Sequence, residues 1–568
     1  GDWSSDVCSS DLMNSMIYDP LEEYLQKFKK LHLDNTNRFF EELVRQSGVD
    51  IEENRKTVRQ YDEHSKKLGT LRNKLYWMRI LRMIMVILVI FIPIMLWTPE
   101  LAIQAFLVLS VVFIPLILLI TPKIRGYRSE IGLADEKASE LLALARKQME
   151  PLNALFTEQD ALRLLEDSIP LLSLEPSFSA EQEANMVLNF DFCGQSDDEQ
   201  SAIELLAGNY NENPFLFENR QIHEMGTEVY HGYKTISWTE EYTDSEGETQ
   251  TRTETETLHA TLKKPKPKYH TQTLLHYCSQ GGPDLTFSRG ATHLDRMCEF
   301  GIERYVKRGE KQLKRMTDRA IRENRDFVSM SNTEFEVLFH ATNRTDEVQF
   351  RTLFTPLAQT NMVKLVLSQV GYGDDFNFCK LNRTNRIISE HSLGRAITLF
   401  PKDYASYSYD QIRENFIGKN AEFFKAVYFD FAPVWAIPLY QERPAHSLNP
   451  VPKRRQKYAS KEWEALANAV DDQYVVHPQT ATKAILKCSF VSSGKSGDRI
   501  RVTAYSYSVR NRVTDVSVYG GDGDWHDVPV EWKEYIPLKF ESRYYVGTEE
   551  QAKNRTILAK KDNLCIFN

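Results

Sequence analysis

A chain of 568 residues, 42% hydrophobic and 26% charged, is longer than one core usually organises, so two to four domains are expected. A mean hydropathy of −0.44 excludes a polytopic transporter built mainly of lipid-buried helices. The net charge of −9 gives no sign of a nucleic-acid binder.

The first twelve residues, GDWSSDVCSSDL, read like the in-frame translation of a sequencing adapter, with Met13 or Met16 as the natural start. Without Asp2, Asp6 and Asp11 the net charge becomes −6. The remaining cysteines are Cys193, Cys278, Cys298, Cys379, Cys488 and Cys565. They form no C-x-x-C pair, which argues against a zinc site or a secreted disulfide framework and fits reduced thiols in a cytoplasm.

Apolar residues from Leu21 to Leu43 give an amphipathic helix over Pro20–Gln46. Tyr61, His64, Leu68, Leu71, Leu75 and Met78 then step 3-4-3-4-3, which is heptad spacing. Two uncharged runs follow, MIMVILVIFIPIMLW from Met83 to Trp97 and the 22 residues Leu101 to Pro122. The second would make a helix of about 33 Å, enough to cross a hydrocarbon core. The first is shorter, but Ile80 and Leu81 extend it and Arg82 can snorkel to the interface. Its depth in the chain argues against a signal peptide. Pro93 and Pro115 are expected to kink the spans, and Trp97 to sit at an interface. Lys66, Lys67, Arg72, Lys74, Arg79 and Arg82 precede the hairpin, Lys123, Arg125 and Arg128 follow it, and the turn Thr98–Glu100 has no cation. By the positive-inside rule both ends are cytoplasmic. Ile131, Ala134, Ala138, Leu141, Ala145 and Met149 continue a stripe beyond the hairpin, so the two flanking helices are expected to pack as a coiled-coil stalk.

Beyond about Pro170 the period changes. Ile222 to Tyr269 alternates at period two around the turn Asp244–Gly247, and the Thr-rich return strand predicts a long solvated β-hairpin. Lys263, Lys264, Lys266 and Lys268, interleaved with Pro265 and Pro267, form a basic stretch. The segment Arg304 to Arg325 is a charged helix with a basic excess. Its interspersed Glu303, Glu310, Asp318 and Glu323 favour a solvated, salt-bridged face over phosphate binding.

The segment Phe335 to Phe400 alternates strand-like and helix-like runs. Phe335, Glu336, Phe339, Asp346, Gln349, Arg351, Leu353, Thr355 and Pro356 resemble the signature of a bacterial domain of unknown function, number 3137, over about Asn332 to His391. That resemblance implies a two-helix anchor followed by a mixed α/β cytoplasmic region. No activity is established for that family, so no site residue carries over. This chain departs from the pattern in its length, its Thr-rich hairpin and its C-terminal region. Read as structure, Phe335, Phe339 and Leu353 are core, Thr355-Pro356 opens a helix, and Arg351 pairs with Asp346. After the linker Pro452–Gln456 and a helix near Trp463–Val470, runs from Ala484 to Tyr545 predict an antiparallel sheet or sandwich.

The chemistry-bearing groups are weak. Asp522, Asp524 and Asp527 lack the twelfth-position acid and flanking helices of a calcium loop, and Gly521 and Gly523 suit a hairpin turn. His223, His231, His259, His270 and His276 show no H-x-x-x-H or H-E-x-x-H spacing. Gly371-Tyr372-Gly373-Asp374-Asp375 lacks the following helix of a phosphate loop. No catalytic residue, cofactor site or metal site is assigned, and an enzyme is the less expected outcome.

The expected fold is a membrane protein with a two-helix transmembrane hairpin and helical stalk. Its cytoplasmic α+β body has a mixed α/β part and a C-terminal antiparallel β domain. The expected divisions are 1–12 (adapter), 13–78 (cytoplasmic helices), 79–122 (hairpin), 123–180 (stalk), 181–330 (β-rich, with the long hairpin and basic helix), 331–450 (α/β) and 451–568 (β-rich). The expected function is a scaffold or interaction protein of the bacterial inner membrane, with two spans and cytoplasmic termini. Its partners would be the bilayer and another protein, not nucleic acid. A membrane-proximal enzyme and an oligomeric channel or transport accessory subunit are the alternatives.

Overall fold

The computed structural model describes residues 16–95, 99–194, 198–243, 248–323, 327–444, 448–495, 497–548, 550–551, 556–561 and 564–567. The adapter segment, Met13, Trp97, Arg325 and the turn Asp244–Gly247 lie outside them. The chain divides into two compact units, one of Leu31–Leu164 with Leu399–Phe423, the other of the preceding residues, Leu165–Thr398 and the chain from Phe424 on.

The first unit is helical. Two helices, Ile51–Met95 and Pro99–Asn153, run side by side, bridged part-way along their length by an exposed Arg72–Asp135 ion pair of 2.9 Å. The expected heptad stripe is their contact seam, and it continues through the apolar run. From Tyr61 to Met78 and on through Arg82, Met85 and Val89 every seam position is buried or half-buried, in alternating steps of three and four. The partner seam runs Phe113, Ile117, Ile120, Ile124, Tyr127, Ile131, Ala134, Ala138, Leu141 and Ala145. Divisions at 78/79 and 122/123 therefore cut single helices, because one seam organises both parts. The second helix also continues through Pro115 and Pro122. Both helices are long and apolar enough to cross a membrane. Their apolar stretches are uncovered: Ile84, Ile87, Phe91, Phe106, Val111 and Leu119 are all exposed.

At the other end of these helices a core forms from Phe40, Leu43, Met149, Leu152, Phe156, Tyr404, Ile412 and Phe416. Asn54 bridges to Tyr407 O at 3.0 Å and accepts from Tyr409 N at 3.0 Å. Arg55 forks onto Asp410. The expected N-terminal helix is present as Pro20–Glu23, a π-turn Tyr24–Phe28 and Lys29–Ser47.

The second unit holds β1 (Leu172–Glu175), β2 (Gln200–Tyr210), β3 (Asn213–Thr243), β4 (Thr249–Cys278), β5 (Thr286–Arg289), β6 (Phe376–Leu381) and β7 (Thr384–Ser389) in one antiparallel sheet of order β1-β2-β3-β4-β7-β6-β5. A second antiparallel sheet, order β11-β12-β10-β9-β8, uses β8 (Ile485–Gly494), β9 (Gly497–Tyr519), β10 (Trp525–Thr548), β11 (Ile557–Lys561) and β12 (Leu564–Phe567). The division at 330/331 does not survive, since β4 pairs with β7 across it. The stalk expected to reach residue 180 ends at Asn153, and β1 already belongs to the sheet.

The predicted β-hairpin is longer than its sequence signal. β3 and β4 pair from Phe215–Tyr277 out to Thr243–Thr249, and β9–β10 form a comparable ribbon. The two ribbons pack face to face through Ile236, Leu258, Ala260, Val528 and Val530. Gly232 permits this approach, since a Cβ there would lie 2.4 Å from Pro529 O. The outer face of the β3–β4 ribbon carries Tyr233, Thr235, Thr239, Thr251, Thr253, Thr255 and Thr257, all exposed. Period-two alternation sorts these side chains from the packed ones.

In the resemblance segment, Phe335, Phe339 and Leu353 are buried as expected. Thr355 caps the helix Pro356–Leu367 by accepting from Ala358 N at 3.3 Å. The Arg351–Asp346 pair is corrected. Asp346 instead caps the helix Glu347–Leu353 through Gln349 N at 2.8 Å, and Arg351 donates to Val328 O and Ser329 O. A cap's demand for an acceptor outranks an exposed ion pair.

Candidate functional site

Two helices start from one short bridge between Ser179 and Tyr458. Ala180 N donates to Lys457 O at 3.1 Å, and Ala459 N to Phe178 O at 3.0 Å. The helix Ala180–Phe190 is capped by Ser179, whereas Ser460–Asn468 has no side-chain cap. Between their first turns opens a cavity of about 740 Å³, walled by Glu183, Val187, Cys193, Arg454, Lys461, Glu464, Lys487 and Cys488.

The segment Ser460–Asn468 packs against β2 of one sheet and β8, β11 and β12 of the other. Lys461, Glu462 and Glu464 are therefore buried beside Trp463. Each has an opposite charge. Lys461 Nζ donates to both carboxylate oxygens of Glu218 at 2.7 Å. Glu464 accepts from Ala202 N at 3.1 Å and pairs with Lys487 at 3.2 Å. Glu462 accepts from Phe178 N at 3.0 Å and pairs with Lys561 at 3.2 Å. His276 Nε2 lies 3.2 Å from Glu218.

Burial alone would raise the Glu218 carboxyl, but Lys461 and His276 hold it well below the usual carboxylate range. Burial pulls His276 down to about 4, so its ring is neutral and its Nε2–H donates to Glu218. Glu464 and Glu183 are both pushed up by burial, against the pull of nearby lysines. Burial raises the Cys488 thiol well above its ordinary value, which disfavours the reactive thiolate. The arrangement can hold a polar molecule against a rigid, charge-balanced wall.

A second cluster surrounds His391. Its Nδ1 lies 2.6 Å from Asp375, and its Nε2 lies 3.2 Å from Ala426 O and 3.4 Å from Asp430. Tyr372 stacks on the ring at 3.8 Å. Burial lowers His391, but Asp430 and Asp375 outweigh it and raise the imidazole. Both ring nitrogens are engaged, and the adjoining cavity, about 10 Å³, has no room for a substrate. This is a clamp. Lys380 is a third buried group, pulled by burial to about 7, with its ammonium on Gly281 O and Asn382 O.

The glycine turn at 371–375 is present, and its two acids are buried anchors: Asp374 takes Arg289 and Thr292, Asp375 takes His391. Asp522, Asp524 and Asp527 sit in and beside the β9–β10 turn, with Asp522 on His526 at 2.8 Å. The five histidines scatter. His276 is in the buried network, His223 packs at a tilt against both Tyr269 and Tyr507, His231 and His259 pair on the exposed ribbon, and His270 is exposed. Among the described residues no three His, Cys, Asp or Glu side chains group as metal ligands. Lys266 of the basic stretch pairs with Glu228, and Lys264 lies over the Trp532 ring.

The Glu218–Lys461–His276 group escaped sequence reading because its members lie far apart in the chain. The available signal was slight: Glu218 directly follows the apolar Phe215-Leu216-Phe217, and Lys461 lies two residues before Trp463. No family profile, curated protein or solved structure matches this chain.

Proposed function

We propose that the protein is a membrane-anchored scaffold, held in a bacterial inner membrane by the hairpin Ile51–Met95 and Pro99–Asn153 with both termini cytoplasmic. One observation carries the reading. Among the described residues, the apolar stretches pack along a single seam and expose Leu, Ile, Val and Phe on their other faces, a surface that water penalises and hydrocarbon accepts. Cations precede the first apolar stretch and follow the second, while the turn between them has none. Resistance of the full chain to alkaline carbonate extraction tests the anchor. A thiol placed at Glu100 should react with an impermeant maleimide from outside the cell, and labelling from the cytoplasmic side alone would refute the orientation.

The scaffold role rests on the outer face of the β3–β4 ribbon. Its exposed Met225, Val229 and Tyr233 stand among threonines, while charges such as Glu240, Arg252 and Glu254 alternate onto the other face. A partner captured by the intact protein and lost in Val229→Ser/Tyr233→Ser would support it. The family resemblance over Asn332–His391 remains part of this proposal. The second reading, a membrane-proximal enzyme, is favoured by the polar cavity beside Lys461. A small-molecule ligand displaced by substitution at Glu183 would favour that reading instead.

A further inference from the structure

The helix Glu299–Glu323 carries eight Lys or Arg against five acids. At about 100° per residue, all eight cations fall within an arc of about 140°. Three of the five acids, Glu299, Glu303 and Glu310, lie together on one rim of it. The opposite face is the packed one, with Leu313 and Ala320 buried, and Gly309 so close to Val337 that a Cβ would meet it at 2.3 Å.

Sequence reading expected the acids to neutralise this face. The face is solvated, as expected, but its salt-bridging is sparse. Glu303 reaches Lys307 at 3.8 Å, while Arg304, Arg308, Lys311, Lys314 and Arg315 have no carboxylate partner among the described residues. At the head of the stripe Phe300 is 66% exposed, with the Arg304 guanidinium 5.0 Å over its ring.

We propose that this stripe docks on the acidic phospholipid headgroups of the membrane that holds the hairpin, an inference that rests on the anchored reading above. The charge is complementary, and a one-sided helix of about 37 Å fits a plane better than it fits a groove. Phe300 supplies an apolar side chain that inserts at the headgroup boundary. The stripe lacks the interleaved aromatic platforms that single-stranded nucleic acid needs. Tethering makes the encounter intramolecular, so a weak electrostatic contact suffices.

The test uses the full chain in lipid nanodiscs, with Cys298 carrying an environment-sensitive fluorophore in a Cys8→Ser/Cys193→Ser background. Discs containing phosphatidylserine should blue-shift the emission and protect it from iodide, relative to phosphatidylcholine discs. The difference should vanish at high salt and in Arg308→Gln/Lys311→Gln/Arg315→Gln, whose exposed positions leave folding unchanged by circular dichroism. Identical emission in both lipids, from protein that co-elutes with the discs, would overturn the proposal and leave the anchor standing. Protein that fails to enter discs would overturn the anchor itself. Protection in phosphatidylcholine discs that appears only on adding poly(U) would reject lipid in favour of nucleic acid.

Discussion

The hairpin helices and the segment around Trp463 break the usual distribution of side chains in opposite senses. Along Ile51–Met95 and Pro99–Asn153, apolar side chains such as Val111 and Leu119 are left outside. In Ser460–Asn468, three charged side chains within four residues of one another are inside. The physics differs accordingly. Exposed apolar surface costs free energy in proportion to its area and is relieved by changing the solvent. A buried charge costs several kcal/mol and is relieved only by a specific partner in good geometry. The first region therefore tolerates many apolar sequences, and the second depends on single residues.

The largest effect is expected where one partner is removed. Lys461→Met keeps the stem but leaves Glu218 buried without its cation, which should cost about 3–5 kcal/mol in denaturant unfolding of the sheet unit. The pH dependence sharpens this. In the wild type Glu218 is depressed, so its contribution is present above its unfolded value and is lost as pH falls through the folded one. His276, lowered to about 4, is fully compatible with the fold above about 6.5 and opposes it increasingly as pH falls from there towards 4. In Lys461→Met, acid should instead narrow the deficit, because protonation removes the unpaired charge. A deficit independent of pH would show that Lys461 acts by packing alone.

The same contrast explains what was legible in the sequence. A helical seam is a local period, so Leu68, Leu71 and Leu75 announced it, and the Thr alternation from Thr249 to Thr257 announced the ribbon. The continuation of the seam through Arg82 was obscured because a uniformly apolar run hides its own periodicity. The seven-stranded sheet was divided in two because β4 and β7 are separated by more than a hundred residues, most of them helix and loop. Pairing over that distance leaves no local mark. The candidate site was hidden for the same reason, since Glu218 and Lys461 are 243 positions apart.

A charge introduced on the other side of the comparison should act through the solvent. Val111 is 73% exposed, so Val111→Lys would cost a water-soluble fold almost nothing. In a bilayer-spanning helix the same change costs about 2.5–3.5 kcal/mol of insertion free energy. Carbonate-resistant retention should fall for Val111→Lys and stay intact for Thr253→Lys on the ribbon. Equal retention of both variants would remove the lipid from the account of the hairpin.

The smallest effect should come from the charge pair beside the seam. Arg72 and Asp135 are each 59% exposed at 2.9 Å, and water screens them on most sides. Such pairs are typically worth about 0.2–1 kcal/mol, and less at high salt. A double-mutant cycle of Arg72→Ala and Asp135→Ala should return a coupling in that range. Leu71→Ala, one residue along and 7% exposed, should cost about 2–5 kcal/mol through lost burial and the cavity left behind. A coupling for the ion pair as large as the Leu71 effect would mean that the helices are registered by charge rather than by the apolar seam, and the heptad would then be a consequence of the packing and not its cause.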